Sequence, residues 1–381
     1  MPTRQRILTY GFTTAAAATI TVALLLQPWR GDRRVTIHDP VPPKPPLATK
    51  HPVDVVFAVD TTGSMGGLIE GAKRTVWSIA THIRQTERNA DLRIGLVAYR
   101  DIGDDYVTRD FALTRDLDAV FAELSSYRAQ GGGDTPEDVD AALDATLHKM
   151  AWRGAAKKLV FLVGDAPPAS RGDVPRFDVL AREAGQHQII LNTIRCGEDL
   201  QTQAAWQQIA ALGHGEFSTV AADGGVQQIA TPYDKKLAEL SARIDRTAVI
   251  VGDDRDRASY ETNVANAAAA PPAAQADRAA YFALRPANKP RAHNDLVGGA
   301  ASGALALDRV APEALPSELR SMTRAELAAE IGRRARQRAA AEAELSQLNR
   351  QRDDYLRNNA AADPNAGFDG KVKATIAAEL R

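Results

Sequence analysis

Apolar runs long enough for buried strands alternate with stretches of helical periodicity between residues 53 and 248. The run VDVVFAVD ends at Asp60, and similar runs are LRIGLVAYR, KKLVFLVGD and IILNTIRC. Strands buried on both faces have this continuous apolar pattern, which is typical of parallel sheets covered by helices. The shorter segment TRDFALT alternates polar and apolar residues, and GEFSTVA is a further candidate strand.

Helical spacing of apolar residues fills the intervals between these strands. We predict helices over residues 68–83, 117–124, 139–147, 179–187, 204–212 and 227–244. Buried strands that alternate with amphipathic helices indicate parallel pairing with right-handed crossovers. The predicted fold class is therefore α/β, with a doubly wound, mostly parallel sheet flanked by helices over residues 53–248. Such sheets bind ligands beyond the carboxyl ends of their strands, where the strand order reverses.

The rest of the chain after this domain falls into two parts. Residues 249–322 have little apolar periodicity and include ANAAAAPPAAQAD, which predicts a connector of low regularity. Residues 323–381 have a helix-forming composition and predict an α-helical C-terminal extension. Apolar residues near heptad spacing in this extension are Leu327, Ile331, Leu345, Leu348 and Tyr355, and the seam is interrupted by Arg334, Arg338 and Arg352. We predict a long amphipathic helix, with a coiled coil as a candidate.

The N-terminus predicts a membrane segment. Arg4 and Arg6 precede an uncharged stretch, residues 7–29, that is long enough to cross a bilayer core of about 30 Å. Residues 1–34 are thus a signal anchor or a cleaved signal peptide, and no small-residue cleavage site follows the apolar core, which favours an anchor. Residues 35–52 are proline-rich and predict a stiff linker.

The predicted location follows from this segment. A very short N-terminal tail favours a single-pass protein of the cell inner membrane whose main domain is extracytoplasmic, and the protein is secreted if the segment is cleaved. Positive charges on both sides of the segment leave the orientation open.

Composition narrows the class of partner. The hydrophobic content of 44% and the charged content of 25% are ordinary for a globular protein, and the formal net charge of −1 gives no basic field for nucleic acid. The one cysteine, Cys196, excludes an internal disulfide and a CxxC metal site. It follows an apolar run, which predicts a buried thiol at a strand end.

Oxygen-bearing side chains collect at three places that a parallel sheet brings to one edge. DTTGS, residues 60–64, follows the first strand and offers a carboxylate and hydroxyls at alternate positions. GGGDTPE, residues 131–137, opens a helix, and Asp165 ends the strand KKLVFLVGD. Ligand sets made only of oxygen select Mg²⁺, Mn²⁺ or Ca²⁺ over zinc or copper.

These three motifs resemble those of the von Willebrand factor type A (VWA) family. DTTGS is similar to its Asp-x-Ser-x-Ser motif with Thr62 in place of the first serine, GGGDTPE to its threonine loop, and FLVGDAP to its second aspartate. The resemblance covers about 200 residues and implies a metal-ion-dependent adhesion site (MIDAS). By this resemblance, the metal site comprises Asp60, Thr62, Ser64, Thr135 and Asp165. Thr62, Ser64 and Thr135 would contact a Mg²⁺ ion (or Mn²⁺ or Ca²⁺) directly, and the two aspartates would act through water.

Structural roles compete with this interpretation at each position. Ser64 could cap the first helix, Thr135 and Pro136 could start another, and the two aspartates could be turn residues. Asp101, Asp104 and Asp105 are expected in a solvated acidic loop, and Thr61 is expected to be a loop residue rather than a ligand.

The prediction for function is a membrane-tethered binding module, not an enzyme, with no catalytic residues assigned. It recruits a protein partner through a divalent cation, and the partner supplies an acidic ligand. The alternative is a metal-dependent hydrolase or phosphatase that uses the same cation, for which Asp134 or Asp101 would be the base. A third hypothesis makes the C-terminal helix the effector. Neither a Walker motif nor GxGxxG is present, and the Asp-Thr-Gly of aspartic proteases is broken by Thr61.

Overall fold

A computed structural model describes residues 50–132, 136–169, 174–226, 229–284, 290–359 and 366–380. The predicted membrane segment, the linker up to residue 49 and the predicted ligand Thr135 lie outside these described residues. None of the helices in the described ranges is both long enough and apolar enough to cross a membrane.

Six strands form one sheet in the order β3-β2-β1-β4-β5-β6. Their bounds are β1 His51–Asp60, β2 Ala90–Tyr99, β3 Thr108–Thr114, β4 Lys157–Gly164, β5 Ile189–Cys196 and β6 His214–Val220. β3 pairs with β2 antiparallel and the other pairs are parallel. The predicted mostly parallel α/β sheet is confirmed. The strand order reverses between β1 and β4, so the predicted site lies where such sheets bind ligands.

Helices cover both faces of this sheet. The bounds of the first six are α1 Gly66–Thr86, α2 Leu117–Ser126, α3 Val139–His148, α4 Phe177–Gln186, α5 Leu200–Leu212 and α6 Asp234–Asp245. Successive residues of β1 point to opposite faces. Phe57 thus packs in a core cluster with Trp77 of α1, and Val56 packs in the opposite cluster with Leu143 of α3. The continuous apolar runs are thereby explained, since both faces of the strands are buried.

The described part of the C-terminal third contains five further α-helices, namely α7 Asp254–Ala269, α8 Pro272–Ala283, α9 Leu296–Ser302, α10 Arg324–Asn358 and α11 Phe368–Glu379. The prediction of low regularity for residues 249–322 was wrong where α7, α8 and α9 form. The alanine-rich stretch makes the end of α7 and the start of α8, and it breaks at Pro271. Alanine favours helix and packs closely, so Ala274, Ala276 and Ala279 are fully buried without an apolar stripe of large residues.

The apolar seam of α10 packs within the chain. Leu345 contacts the cluster that contains Leu237 of α6, and Ile331 contacts the cluster that contains Leu296 of α9. The described residues therefore give no support to the predicted coiled coil, because this seam is already covered. The helix predicted over residues 227–244 begins at Asp234 and packs on α8 and α10. Helix α11 packs on the sheet instead, where Phe368 joins the core cluster that contains Phe57.

Candidate metal centre

The candidate site lies at the carboxyl edge of the sheet, between the ends of β1 and β4. Asp60 is the last residue of β1, and the parallel register of Val59 with Val163 places it beside Gly164 and Asp165. A side chain at Gly164 would meet Asp60 Oδ2 at 3.1 Å, so glycine leaves this carboxylate its space. Two of the three predicted loops thus meet at Asp60.

The DTTGS loop turns its alternate oxygens toward one another. The backbone N–H and the Oγ1 hydroxyl of Thr62 both donate to Asp60 Oδ1, at 2.8 and 2.7 Å. Thr62 Oγ1 also lies 3.4 Å from Ser64 Oγ. Asp60, Thr62 and Ser64 are therefore brought together as the sequence predicts.

Thr61 points away from this group. Its hydroxyl donates to the carbonyl of Tyr99 at 3.1 Å and lies 2.7 Å from the hydroxyl of Tyr106. The expectation that Thr61 is a loop residue is consistent with these bonds, since its hydroxyl is already used in holding β1 to the loop after β2.

Asp60 is completely buried and has one oxygen without a partner. Oδ2 accepts no hydrogen bond from the described residues. Burial raises the pKa of Asp60 to about 7. The hydrogen bonds from Thr62 and from the backbone N–H of Asp165 oppose this rise, and the charge of the Asp165 carboxylate adds to it. A buried carboxylate that keeps an unsatisfied oxygen is costly unless a positive charge compensates it.

Glu137 belongs to the same group, although the sequence argument gave it only a place in the GGGDTPE helix start. Its side chain is buried, and Oε2 has no hydrogen-bond partner among the described residues. A side chain at Gly132, which has a φ of +72°, would lie 3.3 Å from Glu137 Oε1 and 2.8 Å from Thr62 Cβ. The carboxylate of Glu137 therefore lies close to Thr62, where only glycine leaves room.

The pKa of Glu137 reports the same crowding of negative charge. Burial raises it to about 8, and the charges of Asp60, Asp101, Asp104 and Asp165 add to the shift. Five carboxylates thus share this end of the sheet. The spacing of Glu137 from Thr135 could have suggested it as an oxygen donor, but its position at a helix start concealed that role.

The acidic loop after β2 is only partly solvated. Asp105 is 85% exposed, as expected, but Asp101 is buried, so the expectation of solvent exposure was wrong for Asp101. Both carboxylate oxygens of Asp104 lie within 3.3 Å of the backbone nitrogen of Gly132 and accept its N–H. Asp104 thereby holds the loop of the GGGDTPE motif against the loop after β2.

The structure also bears on the helix-cap and turn roles that are the alternatives to metal binding. No side-chain bond caps α1, so Ser64 does not cap this helix, and Asp138, rather than Thr135, caps α3 by accepting from the Ala141 N–H at 2.8 Å. Asp165 is half-buried, and its backbone carbonyl accepts from the Thr202 hydroxyl at 3.1 Å. This bond ties the backbone of the loop that carries Asp165 to α5.

The donors at this site fit a hard divalent cation. No cluster of three or more His, Cys, Asp or Glu side chains with the spacing of a metal site is found in the described ranges. The donors that converge are instead a mixture of the Thr62 and Ser64 hydroxyls with the carboxylates of Asp60 and Glu137. The buried oxygens Asp60 Oδ2 and Glu137 Oε2 have no hydrogen-bond partner among the described residues. Oxygen donors of this kind suit Mg²⁺, Mn²⁺ or Ca²⁺. Cys196, as expected, is a buried thiol at a strand end.

Comparison with known proteins agrees with this description of the domain. The von Willebrand factor A domain family model matches residues 54–232. The alpha-protein kinase vwkA of Dictyostelium discoideum is 32% identical over 117 residues, which are 30% of this chain and 18% of that protein. A putative ariadne-like RING finger protein of Acanthamoeba polyphaga mimivirus is 30% identical over 131 residues, 34% of this chain and 12% of that protein. The chain spans less than a fifth of both relatives.

Solved structures include similar chains. The BatB protein of Bacteroides thetaiotaomicron is 16% identical, with a TM-score of 0.34, and covers 44% of this chain and 90% of its own. Proximal thread matrix protein 1 of the mussel byssus, solved with zinc in its MIDAS motif, is 15% identical, with a TM-score of 0.36, and covers 46% of this chain and 42% of its own. The family match, together with the sheet, supports a VWA domain over residues 54–232.

Proposed function

We propose that the VWA domain of this chain is a protein-interaction module that binds an acidic side chain of a partner through a divalent cation. VWA domains are commonly protein-interaction modules and often bind a divalent metal at a MIDAS. The observation that carries the proposal is the pair of buried carboxylate oxygens, Asp60 Oδ2 and Glu137 Oε2, that lack hydrogen-bond partners among the described residues.

The residues proposed to hold the cation are Asp60, Thr62, Ser64, Thr135 and Asp165, with Glu137 added from the structure. Thr62 and Ser64 offer neutral hydroxyls, and Asp60 orients Thr62 through two hydrogen bonds. Hydroxyl ligands leave much of the positive charge of a cation unneutralised, so it can attract a carboxylate from outside. The buried carboxylates supply the long-range attraction that retains the cation.

The tether is a second part of the proposal. We propose that residues 1–34 anchor the chain in the cell inner membrane as a single span and that the proline-rich linker holds the domain off the extracytoplasmic surface. Separation of membrane and soluble fractions tests the anchor, and cleavage by an external protease tests the orientation. Recovery of the protein in the soluble extracytoplasmic fraction would instead indicate a cleaved signal peptide.

An enzyme is the competing possibility, and Glu137 is the residue that favours it. A metal-dependent hydrolase needs a general base beside an open metal position. Glu137 has a pKa raised to about 8 and lies at the candidate cation site. The test is hydrolysis of p-nitrophenyl phosphate by the full chain with and without metal. Metal-dependent hydrolysis that is lost in Glu137→Gln would show that the domain is a phosphatase rather than an interaction module.

Capture of protein partners in Mg²⁺ and in EDTA tests the interaction module directly. We expect partners that are retained by the full chain in Mg²⁺, released by EDTA and lost in Asp60→Asn. Thr61→Val is the matched control, because Thr61 is adjacent but its hydroxyl faces Tyr99 and Tyr106. Partners that are retained equally in EDTA, or equally by Asp60→Asn, would contradict the proposal.

A further inference from the structure

A surface cavity of about 390 Å³ opens beside the candidate cation site, between the loop after β2 and the start of α3. Its apolar lining comes from Ile102, Val107, Ala141 and Val174. Ile102 is 47% exposed, whereas most large apolar side chains of the described chain are buried. Ligand sites are concave and are lined by apolar side chains together with a few polar groups, and this cavity has such a lining.

The cavity and the candidate cation site share two stretches of backbone. Asp101 acts electrostatically on Glu137, and the next residue, Ile102, lines the cavity. Glu137 belongs to the candidate site, and the next residue, Asp138, also lines the cavity. Successive Cα atoms are about 3.8 Å apart, so the backbone that lines the cavity is contiguous with the backbone of the candidate site.

The wall that separates them is held in place by hydrogen bonds. The backbone N–H of Arg100 donates to the carbonyl of Val107 at 3.0 Å, which closes the loop after β2 at its base. Asp104 accepts from the backbone of Gly132, which fixes the loop to the GGGDTPE motif. These bonds hold this side of the cavity in place, which lowers the ordering cost of filling it.

The charged side chains at the cavity already have partners. Lys149 lies 3.6 Å from the Asp110 carboxylate, and Asp144 lies 2.8 Å from the His148 ring. Asp138 accepts from the backbone N–H of Ala141 at 2.8 Å. With these charges engaged, the cavity has little to select a charged group. Its apolar lining favours an apolar occupant.

We infer that this cavity, here called the Ile102 cavity, receives a large apolar side chain of the partner that is adjacent in sequence to the acidic side chain bound at the cation. The inference rests on the proposed function, since it places the apolar residue relative to that acidic residue. It specifies the partner as a protein segment in which aspartate or glutamate has a leucine- or phenylalanine-like neighbour.

Synthetic peptides test this inference on the full chain. The probes are Gly-Gly-Asp-Leu-Gly-Gly and Gly-Gly-Leu-Asp-Gly-Gly, their serine counterparts with Leu replaced, and versions with Asn in place of Asp. Binding is measured in Mg²⁺ and in EDTA by competition against an immobilised peptide. Burial of a leucine side chain predicts binding about tenfold or more tighter than that of the serine counterpart, for at least one of the two orders.

Three variants test whether the Ile102 cavity causes the preference for leucine over serine. Ile102→Ser removes apolar lining, and Ala141→Phe fills the cavity without removing any lining, so both are expected to bring the Leu-to-Ser ratio close to one. Both should keep the preference for Asp over Asn. Val179→Ser is the matched control, because Val179 on α4 is 50% exposed and does not line the cavity. Thermal unfolding checks that each variant is folded, and either cavity variant alone suffices.

The outcomes separate the inference from the proposed function. Selection of Asp over Asn in Mg²⁺ with equal binding of Leu and Ser peptides would overturn the Ile102 cavity and leave the cation-dependent module intact. A leucine preference that survives both cavity variants would also overturn it. Loss of all discrimination between Asp and Asn by the unmodified chain would overturn the proposed function itself.

Discussion

Two regions of this molecule bury carboxylates, and they treat the negative charge in opposite ways. In the C-terminal region, Arg338 of α10 pairs with Asp295 at 2.6 Å, and both side chains are fully buried. At the carboxyl edge of the sheet, Asp60 and Glu137 are buried without any arginine or lysine among their hydrogen-bond partners in the described chain. Compensated charge is typical of a structural contact, whereas uncompensated buried charge indicates a site whose counter-charge comes from outside.

The pairing in the C-terminal region recurs at other buried arginines. Arg278 of α8 pairs with Asp118 of α2 and with Asp245 of α6, and Arg352 of α10 pairs with Asp234 of α6 and Asp277 of α8. These ion pairs, with the apolar seam of α10 and the packing of Phe368 on the sheet, join the C-terminal helices to the VWA domain. The described helices after residue 248 thus belong to the same folded core, so their removal would not be a clean test of the hypothesis that the C-terminal helix is the effector.

The largest expected effect is a loss of stability when the buried ion pair of Arg338 and Asp295 is broken. Arg338→Leu leaves the Asp295 carboxylate buried without its partner and is expected to destabilise the fold by about 3–5 kcal/mol. Arg333→Leu is the control, because Arg333 pairs with Glu330 at the exposed surface of the same helix, and such pairs contribute at most about 1 kcal/mol. Denaturant unfolding measures both. Similar losses in the two variants would show that the buried pair has no special role.

The next effect is stabilisation of the fold by a cation at the uncompensated carboxylates of the sheet edge. Mg²⁺ or Mn²⁺ is expected to stabilise the full chain by about 2.7 kcal/mol at one hundred times its dissociation constant and to raise the thermal midpoint accordingly. Asp60→Asn should abolish this gain and should lose little stability in EDTA, because it removes a buried charge that has no partner there. A cation-induced rise in the midpoint of Asp60→Asn equal to that of the unmodified chain would refute the assignment.

Adjacent threonines sharpen the distinction between a ligand and a structural hydroxyl. Thr62→Val is expected to weaken cation affinity by about tenfold or more, because it removes one donor and the hydroxyl contact with Asp60. The backbone N–H of residue 62 still donates to Asp60 in this variant. Thr61→Val should lower stability by about 1 kcal/mol through its lost bond to Tyr99 and leave cation affinity unchanged. Titration calorimetry measures the cation affinity, and denaturant unfolding measures the stability. Weaker cation binding by Thr61→Val, with unchanged binding by Thr62→Val, would contradict these roles.

A pH dependence completes the comparison, and only the metal-free chain should show it. The pKa values of Asp60 and Glu137 are raised to about 7 and about 8, whereas unfolded carboxyls titrate near pH ~4. The folded chain therefore holds more protons in this window, and stability falls as pH rises from about 5 to about 8. Glu137→Gln should reduce the fall in EDTA, and saturating Mg²⁺ should suppress it. A fall in stability of the same size in Glu137→Gln would show that other groups cause the pH dependence.

Much of the fold and part of the site could be predicted from sequence because the relevant patterns are local. The apolar runs that end at Asp60 and Asp165 indicate buried parallel strands, and the spacing of Asp60, Thr62 and Ser64 indicates converging oxygens. Glu137 was missed because a glutamate near a helix start usually has a local role. The Glu137 carboxylate and Thr62 both border Gly132, and no local pattern shows this approach.

The C-terminal region was harder to predict for a related reason. Arg338 and Arg352 interrupt an apolar seam in the sequence, and their role depends on Asp295, Asp234 and Asp277, which are distant along the chain. Helices α7 and α8 bury alanines, whose small side chains give little periodic contrast. Long-range charge compensation and close alanine packing are therefore visible only once the chain is folded.

Binding of Mn²⁺ to the metal-free full chain, followed by the loss of the free-ion signal in electron paramagnetic resonance, tests the central claim most directly. The structure predicts saturation at one Mn²⁺ for each chain, competition by Mg²⁺, and loss of this binding in Asp60→Asn but not in Thr61→Val. Absence of saturable binding to the unmodified chain, or undiminished binding to Asp60→Asn, would contradict the claim that the uncompensated carboxylates at the sheet edge form a cation site.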